Sequence, residues 1–339
     1  MFAVDKDITI QHWQYGESDP AALVKPGYNV INSEDWWGYT SLKSDHSPIF
    51  PATYPQFFNT TRTLNFANIP GWQWTPRLTN PFNTTAEYQL SRNSTKNKGA
   101  IIASWNDNGP DATTQLEAFY AIRNGLPIVG SRMWSGERGP RLDSATLAQS
   151  SSMLMQAAPG QNLDRKLTSP LRGKNKLLLD WTPKPCQREP GTKLGLGSKG
   201  MNYTLWISYA GEFSLDSPDA KLTLTSEGEL QFDADGFVYP LRTVDEEAGF
   251  DVGHLGRIWA NETTSSHEVV KLDLTGEVRL KTDALGGTRV WDKEGRFRGR
   301  FEVFVYGGRN TVFSWNQMAF VAPLEYVKGA VRKIRLWDQ

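Results

Sequence analysis

Along the first 160 positions, apolar residues come in short bursts that stop at a tryptophan or a small polar residue. The bursts DITIQHW (7–13), GYNVINS (27–33) and GAIIASW (99–105) are rich in β-branched residues and too short for helices, so they predict buried strands. Between the second and third lies a long irregular segment broken by Pro48, Pro51, Pro55, Pro70, Pro76 and Pro81, and loops of that length inside a domain usually carry function. After the third burst, Asp111 is the expected cap of a helix. Leu116, Phe119, Tyr120 and Ile122 recur in it at helical spacing, and Asn124-Gly125 ends it. LPIVGSRMWSG (126–136) reads as a further strand-like run, and SATLAQSSSMLMQAAPG (144–160) as a helix terminated by Pro159-Gly160. Strand, aromatic loop, helix and strand in succession are the grammar of βα units, whose strand C-termini carry the site.

The pattern changes after about residue 160. A connector over 161–199 includes the Pro-, Gly- and Lys-rich KPCQREPGTKLGLGSKG, and beyond it apolar and polar positions alternate. YTLWISYAG, AKLTLTSEGELQFDADGFVYPL, SHEVVKLDLTGEVRLKTD, RFRGRFEVFVYGG and VRKIRLWD, with Gly, Asp and Asn between them, predict an antiparallel β-sandwich over 200–339. The expected chain thus has an α/β part over 1–160, a linker, and an all-β part.

Composition narrows the function. Thirty-seven basic and 37 acidic residues leave no net charge, so no global field recruits nucleic acid or an anionic membrane. Thirteen Trp, 11 Tyr and 16 Phe, many beside Asn, Asp, Gly and Ser, suit the apolar C–H faces of sugars ringed by hydroxyls, which makes a glycan the expected partner. One cysteine, Cys186, and four histidines argue against a disulfide framework and a zinc site, and no cofactor is expected. No apolar run is long enough to span a bilayer, and the first residues lack the layout of a signal peptide. Asn59, Asn83, Asn93, Asn202 and Asn261 nevertheless head Asn-X-Ser/Thr sequons, which point to a secretory-pathway protein whose signal is not visible in this chain.

The order of strand ends resembles glycoside hydrolase family 20, the β-N-acetylhexosaminidase and lacto-N-biosidase family, over roughly residues 5–158. ITIQHW, ending in Trp13, resembles the sixth strand of that family's TIM (β/α)8 barrel. NVINSEDWWGYTSL resembles the seventh, with Ser33 and Tyr39 at the matching spacing. GWQWTP offers Trp74, and ASWND, with Trp105 and Asp107, resembles the end of the eighth. The resemblance implies that Trp13, Trp74 and Trp105 wall a pocket for an N-acetylated sugar. It also implies that Tyr39 hydrogen-bonds the acetamido group that attacks the anomeric carbon, while Asp107 grips outer hydroxyls. Ser41 stands where the family often has Asp, and Asp107 where it has Glu.

The resemblance implies an Asp-Glu pair at the end of the fourth strand, which would precede Met1. The expectation is therefore the C-terminal part of a retaining, substrate-assisted hydrolase that acts on terminal β-linked N-acetylhexosamine or lacto-N-biose, with the missing N-terminal part as partner. A non-catalytic carbohydrate-binding protein is the alternative. Glu34-Asp35 and Glu246-Glu247 read as solvated loop charges, Trp36 and Trp37 as packing, Arg132, Trp134 and Glu137 as structural, and His46 as a solvated loop histidine. The second half resembles the concanavalin-like or laminin-G-like jelly rolls appended to sugar-active enzymes, on GMNYTLWISYAG and VRKIRLWDQ.

Overall fold

The computed structural model describes residues 4–13, 20–33, 35–42, 58, 60–67, 94–105, 113–135, 141–157, 176–184, 191–244, 267–284, 286–307 and 312–339. The chain separates into two units. The first comprises Met1–Asp45, Ala52–Asn106 and Phe119–Met155; the second comprises His46–Pro51, Asp107–Ala118 and Gln156–Gln339.

In the first unit the expected strands form. β1 (Thr9–His12) is followed by the short helix α1 (Pro20–Val24), β2 (Asn29–Asn32), the single turn α2 (Asp35–Gly38), β3 (Tyr39–Ser41) and α3 (Thr60–Ala67). The third expected strand divides into β4 (Asn97–Ala100) and β5 (Ala103–Trp105). β1, β2 and β4 make a three-stranded parallel sheet in that order, and β3 pairs with β5, also in parallel. Across the break the Ile101 amide donates to the Asn32 carbonyl at 2.8 Å, so the chain stays in register between the two pairings.

α4 (Gln115–Ile122), α5 (Leu126–Ser135) and α6 (Ser144–Ala157) follow. The run expected as a strand at 126–136 is helical instead. Pro127 stands at its second position, where a missing amide hydrogen costs nothing, and Val129 donates to the Gly125 carbonyl at 3.0 Å. Ile128 and Val129 are buried with Trp37, Ala100 and Leu147 in one apolar cluster, and that packing outweighs the β-branched propensity.

The second unit is antiparallel throughout its main sheet. Its strands are β6 (Lys176–Trp181), β7 (Thr192–Lys193), β8 (Ser198–Lys199), β9 (Tyr203–Asp216), β10 (Lys221–Leu224), β11 (Leu230–Ala234), β12 (Phe237–Arg242), β13 (Thr275–Asp283), β14 (Gly287–Asp292), β15 (Phe297–Gly307), β16 (Val312–Gln317), β17 (Ala322–Pro323) and β18 (Tyr326–Asp338). The hydrogen-bonded path β10-β11-β12-β15-β14-β13-β9 returns to β10, because β9 pairs with β13 over Tyr203–Ala210 and with β10 over Phe213–Asp216. The result is a closed seven-strand antiparallel barrel. β18 lines the other edge of β9 and carries β6 and β7.

β18 follows β9 with register shifts after Gly329, whose φ is +81° and where a Cβ would collide with the Glu212 carbonyl, so the close approach of the two strands there requires glycine. Inside, Leu205, Ile207, Leu215, Leu222 and Leu280 are fully buried, each burial contributing about 1.5–3 kcal/mol. Phe232 stacks on Phe320 with centroids 4.4 Å apart and meets Phe301 edge-on at 4.8 Å.

Two expectations about fold class are thereby corrected. Among the described residues the chain is mostly β and shows no (β/α)8 pattern, which overturns the TIM barrel expectation; parallel pairing there is confined to β1-β2-β4 and β3-β5. The second half is a closed barrel rather than a jelly-roll sandwich. Period-two alternation is the same in both, and only the β9–β10 pairing, invisible to periodicity, separates them.

Candidate functional site

Of the residues singled out at strand ends, Trp13, Ser33 and Trp105 lie at the C-terminal ends of parallel strands of the first unit, whereas Tyr39 opens β3. Trp13 directly follows β1, and its carbonyl accepts the Asp35 amide at 3.0 Å, which ties the exit of β1 to the start of α2. Its side chain is 44% exposed. Ser33 follows β2 and is fully buried. Its amide donates to the His12 carbonyl at 2.8 Å, its hydroxyl donates to the same oxygen at 3.1 Å, and that hydroxyl accepts from Gln11 Nε2 at 2.9 Å. The Ser33 hydroxyl is thus committed to locking the two strand ends together.

β3 and β5 place Tyr39 and Trp105 together. Their register sets Tyr39 opposite Ala103 and Ser41 opposite Trp105; the Leu42 amide donates to the Trp105 carbonyl at 2.8 Å, and Thr40 Oγ1 donates to Ser104 Oγ at 3.1 Å. The Tyr39 ring is buried and lies 5.6 Å from the Trp105 ring, inclined at 60°. Trp105 is 42% exposed, so the pair presents one anchored ring and one open to solvent. Trp37 belongs to the core: Nε1 donates to Asn32 Oδ1 at 3.4 Å, and its carbonyl accepts from Thr63 Oγ1 at 3.0 Å.

Two half-exposed indoles at parallel strand ends, with a tyrosine braced against one of them, offer flat apolar surface next to polar backbone and hydroxyl groups. That arrangement suits a saccharide. Asp35 is the one buried carboxylate among the described residues of this unit. Trp74 and Asp107, and with them Glu34, His46 and Glu137, lie outside the described residues, as do Asn59, Asn83, Asn93 and Asn261. Asn202 is exposed ahead of β9. Arg132 is buried in α5, whereas Trp134 is 93% exposed.

In the second unit a buried charge cluster escaped the sequence reading. Glu302 Oε1 meets His267 Nδ1, Glu302 Oε2 accepts from Arg300 Nε at 2.7 Å, and Arg242 donates to the His267 carbonyl at 2.8 Å. Both carboxylate oxygens are engaged, which makes the cluster a means of compensating buried charge inside the barrel wall. Only register could have revealed it, since the residues come from three separated strands or loops. The expected helix cap was also misplaced. Thr114 and Glu117 form a reciprocal capping box, with the Thr114 amide donating to Glu117 Oε2 at 2.9 Å and the Glu117 amide to Thr114 Oγ1 at 3.3 Å. The signal, Thr-X-X-Glu at 114–117, was legible.

Among the described residues no group of three His, Cys, Asp or Glu side chains could hold a metal ion, and no helix is long and apolar enough to cross a membrane. No family model, curated protein or solved structure matches the chain.

Proposed function

We propose that the first unit binds an N-acetylated saccharide at the C-terminal ends of its parallel strands. On this reading the chain serves as the substrate-gripping portion of a retaining β-N-acetylhexosaminidase-type glycoside hydrolase. The single observation that carries the reading is the juxtaposition of Tyr39 and Trp105 at 5.6 Å, with Trp105 open to solvent. Trp105 and Trp13 take the apolar faces of sugar rings, and the buried Tyr39 ring braces Trp105. The reading rests on strand ends and needs no closed (β/α)8 barrel.

Substrate-assisted hydrolysis takes two carboxylates with different protonation states, one to donate the proton to the leaving oxygen and one to orient the acetamido group. The strand-end rings serve equally a second reading, a carbohydrate-binding protein without hydrolysis. Titration calorimetry with N-acetylglucosamine and lacto-N-biose, run beside hydrolysis of p-nitrophenyl N-acetylglucosaminide, separates the two. Binding with turnover supports the hydrolase, binding without turnover supports the lectin-like reading, and absence of binding overturns both.

A further inference from the structure

The outer face of the second unit carries a row of alternating cations and tryptophans in register across four strands. Arg335 on β18 pairs with Trp206 on β9, Trp206 with Arg279 on β13, and Arg279 with Trp291 on β14. Alternate positions 205, 207, 278, 280, 290, 334 and 336 are buried, so the row faces out of the barrel. The Arg335 guanidinium lies over the Trp206 ring at 5.4 Å; Lys281 Nζ and the Arg289 guanidinium lie over Trp291 at 5.1 and 5.5 Å.

Acidic residues satisfy only the margins of this face. Asp180 on β6 takes Lys333 at 3.0 Å and Arg335 at 3.4 Å, and Asp283 takes Arg289. Arg279, exposed between the two tryptophans, and Lys281 make no ion pair among the described residues. A chain with no net charge therefore gathers cations on this outer face of the barrel wall.

We propose that this face binds an anionic polysaccharide, one bearing sulfate or uronate groups, with Arg279 and Lys281 as its principal anion contacts. Lys281, held against the Trp291 ring, is a pre-oriented donor that loses little side-chain entropy when an anion arrives, and Arg279 stands exposed on the same strand two residues away. Trp206 and Trp291 stand two strands apart, about 10 Å, close to the rise of one disaccharide. The same cations cover the ring faces that nucleobases would need for stacking, which disfavours single-stranded nucleic acid. This inference concerns the second unit and stands independently of the saccharide reading of the first.

The test is titration of the full chain with a heparin-derived oligosaccharide at low and moderate salt, beside a neutral N-acetylglucosamine oligomer and oligo(dT). The sulfated ligand is expected to bind, more weakly as salt rises. R279E/K281E is expected to lose about tenfold or more in affinity with an unchanged melting temperature, as two charge-assisted contacts are reversed. D180N, which releases Arg335 and Lys333, is expected to tighten binding. R279Q/K281Q gives the same reading with a smaller loss if charge reversal disturbs folding. The proposal is overturned if heparin fragments do not bind, if neither double variant weakens them, or if oligo(dT) binds as tightly. W105A leaves this affinity unchanged, so failure here and failure of the saccharide site are read separately.

Discussion

Tyr39 and Trp105 sit 5.6 Å apart, inclined at 60°, where β3 and β5 run in parallel, and of the two rings only the tryptophan is open to solvent. An indole braced by a buried ring inclined to it is a rigid platform for a sugar. W105A should weaken binding of N-acetylated saccharides about tenfold while leaving the melting temperature close to that of the wild type. Y39A should do both, weakening binding and lowering stability, because it removes a buried ring. Calorimetric titration and thermal melts of the two variants check this pair of outcomes.

Ser33 is a lock rather than a nucleophile. S33A removes its hydroxyl bonds with His12 and Gln11, which should cost about 1–2 kcal/mol in chemical denaturation, while any hydrolytic rate measured at saturating substrate stays the same. A large loss of rate at unchanged stability would place the hydroxyl in chemistry.

Thr114 closes the capping box and also donates from Oγ1 to the Ala319 carbonyl at 2.6 Å, while the Ala319 amide donates to Glu117 Oε1 at 3.3 Å. T114V keeps the shape and removes the hydroxyl that the Glu117 amide donates to and that donates to the Ala319 carbonyl. It should destabilise the protein by about 1–3 kcal/mol in a denaturant titration.

The Tyr209 hydroxyl is pushed up from 10.0 to about 12, first by burial and then by the charge of Asp273, with Arg298 opposing. Burial pushes Tyr203 up as well. A raised phenol contributes stability that is fully present below the unfolded pKa and is lost as pH rises through the folded one, so stability should fall between about pH 10 and 12. Y209F should lessen that alkaline decline without abolishing it, since Tyr203 remains; thermal melts at stepped pH provide the measurement.

What the sequence revealed followed from local chemistry. β1, β2 and β5 fall within the three bursts that end at Trp13, Ser33 and Trp105, and β4 overlaps only the start of the third, because short β-branched runs bounded by polar residues have few alternatives. α5 escaped because Ile128 and Val129 look like strand residues until their packing on Trp37 and Leu147 is known. Closure of the barrel and the Arg335–Trp206–Arg279–Trp291 row depend on register between residues far apart in the chain, which alternation does not encode. The expectation of a TIM barrel rests on a resemblance of strand ends alone. Strand ends carry the site's residues but not the number of strands around them.

The most direct measurement of the central claim is a calorimetric titration of the full chain with N-acetylglucosamine and lacto-N-biose, paired with the same titration of W105A. The strand-end reading predicts saturable one-site binding that W105A weakens about tenfold. Absence of binding, or equal affinity in W105A, would contradict it.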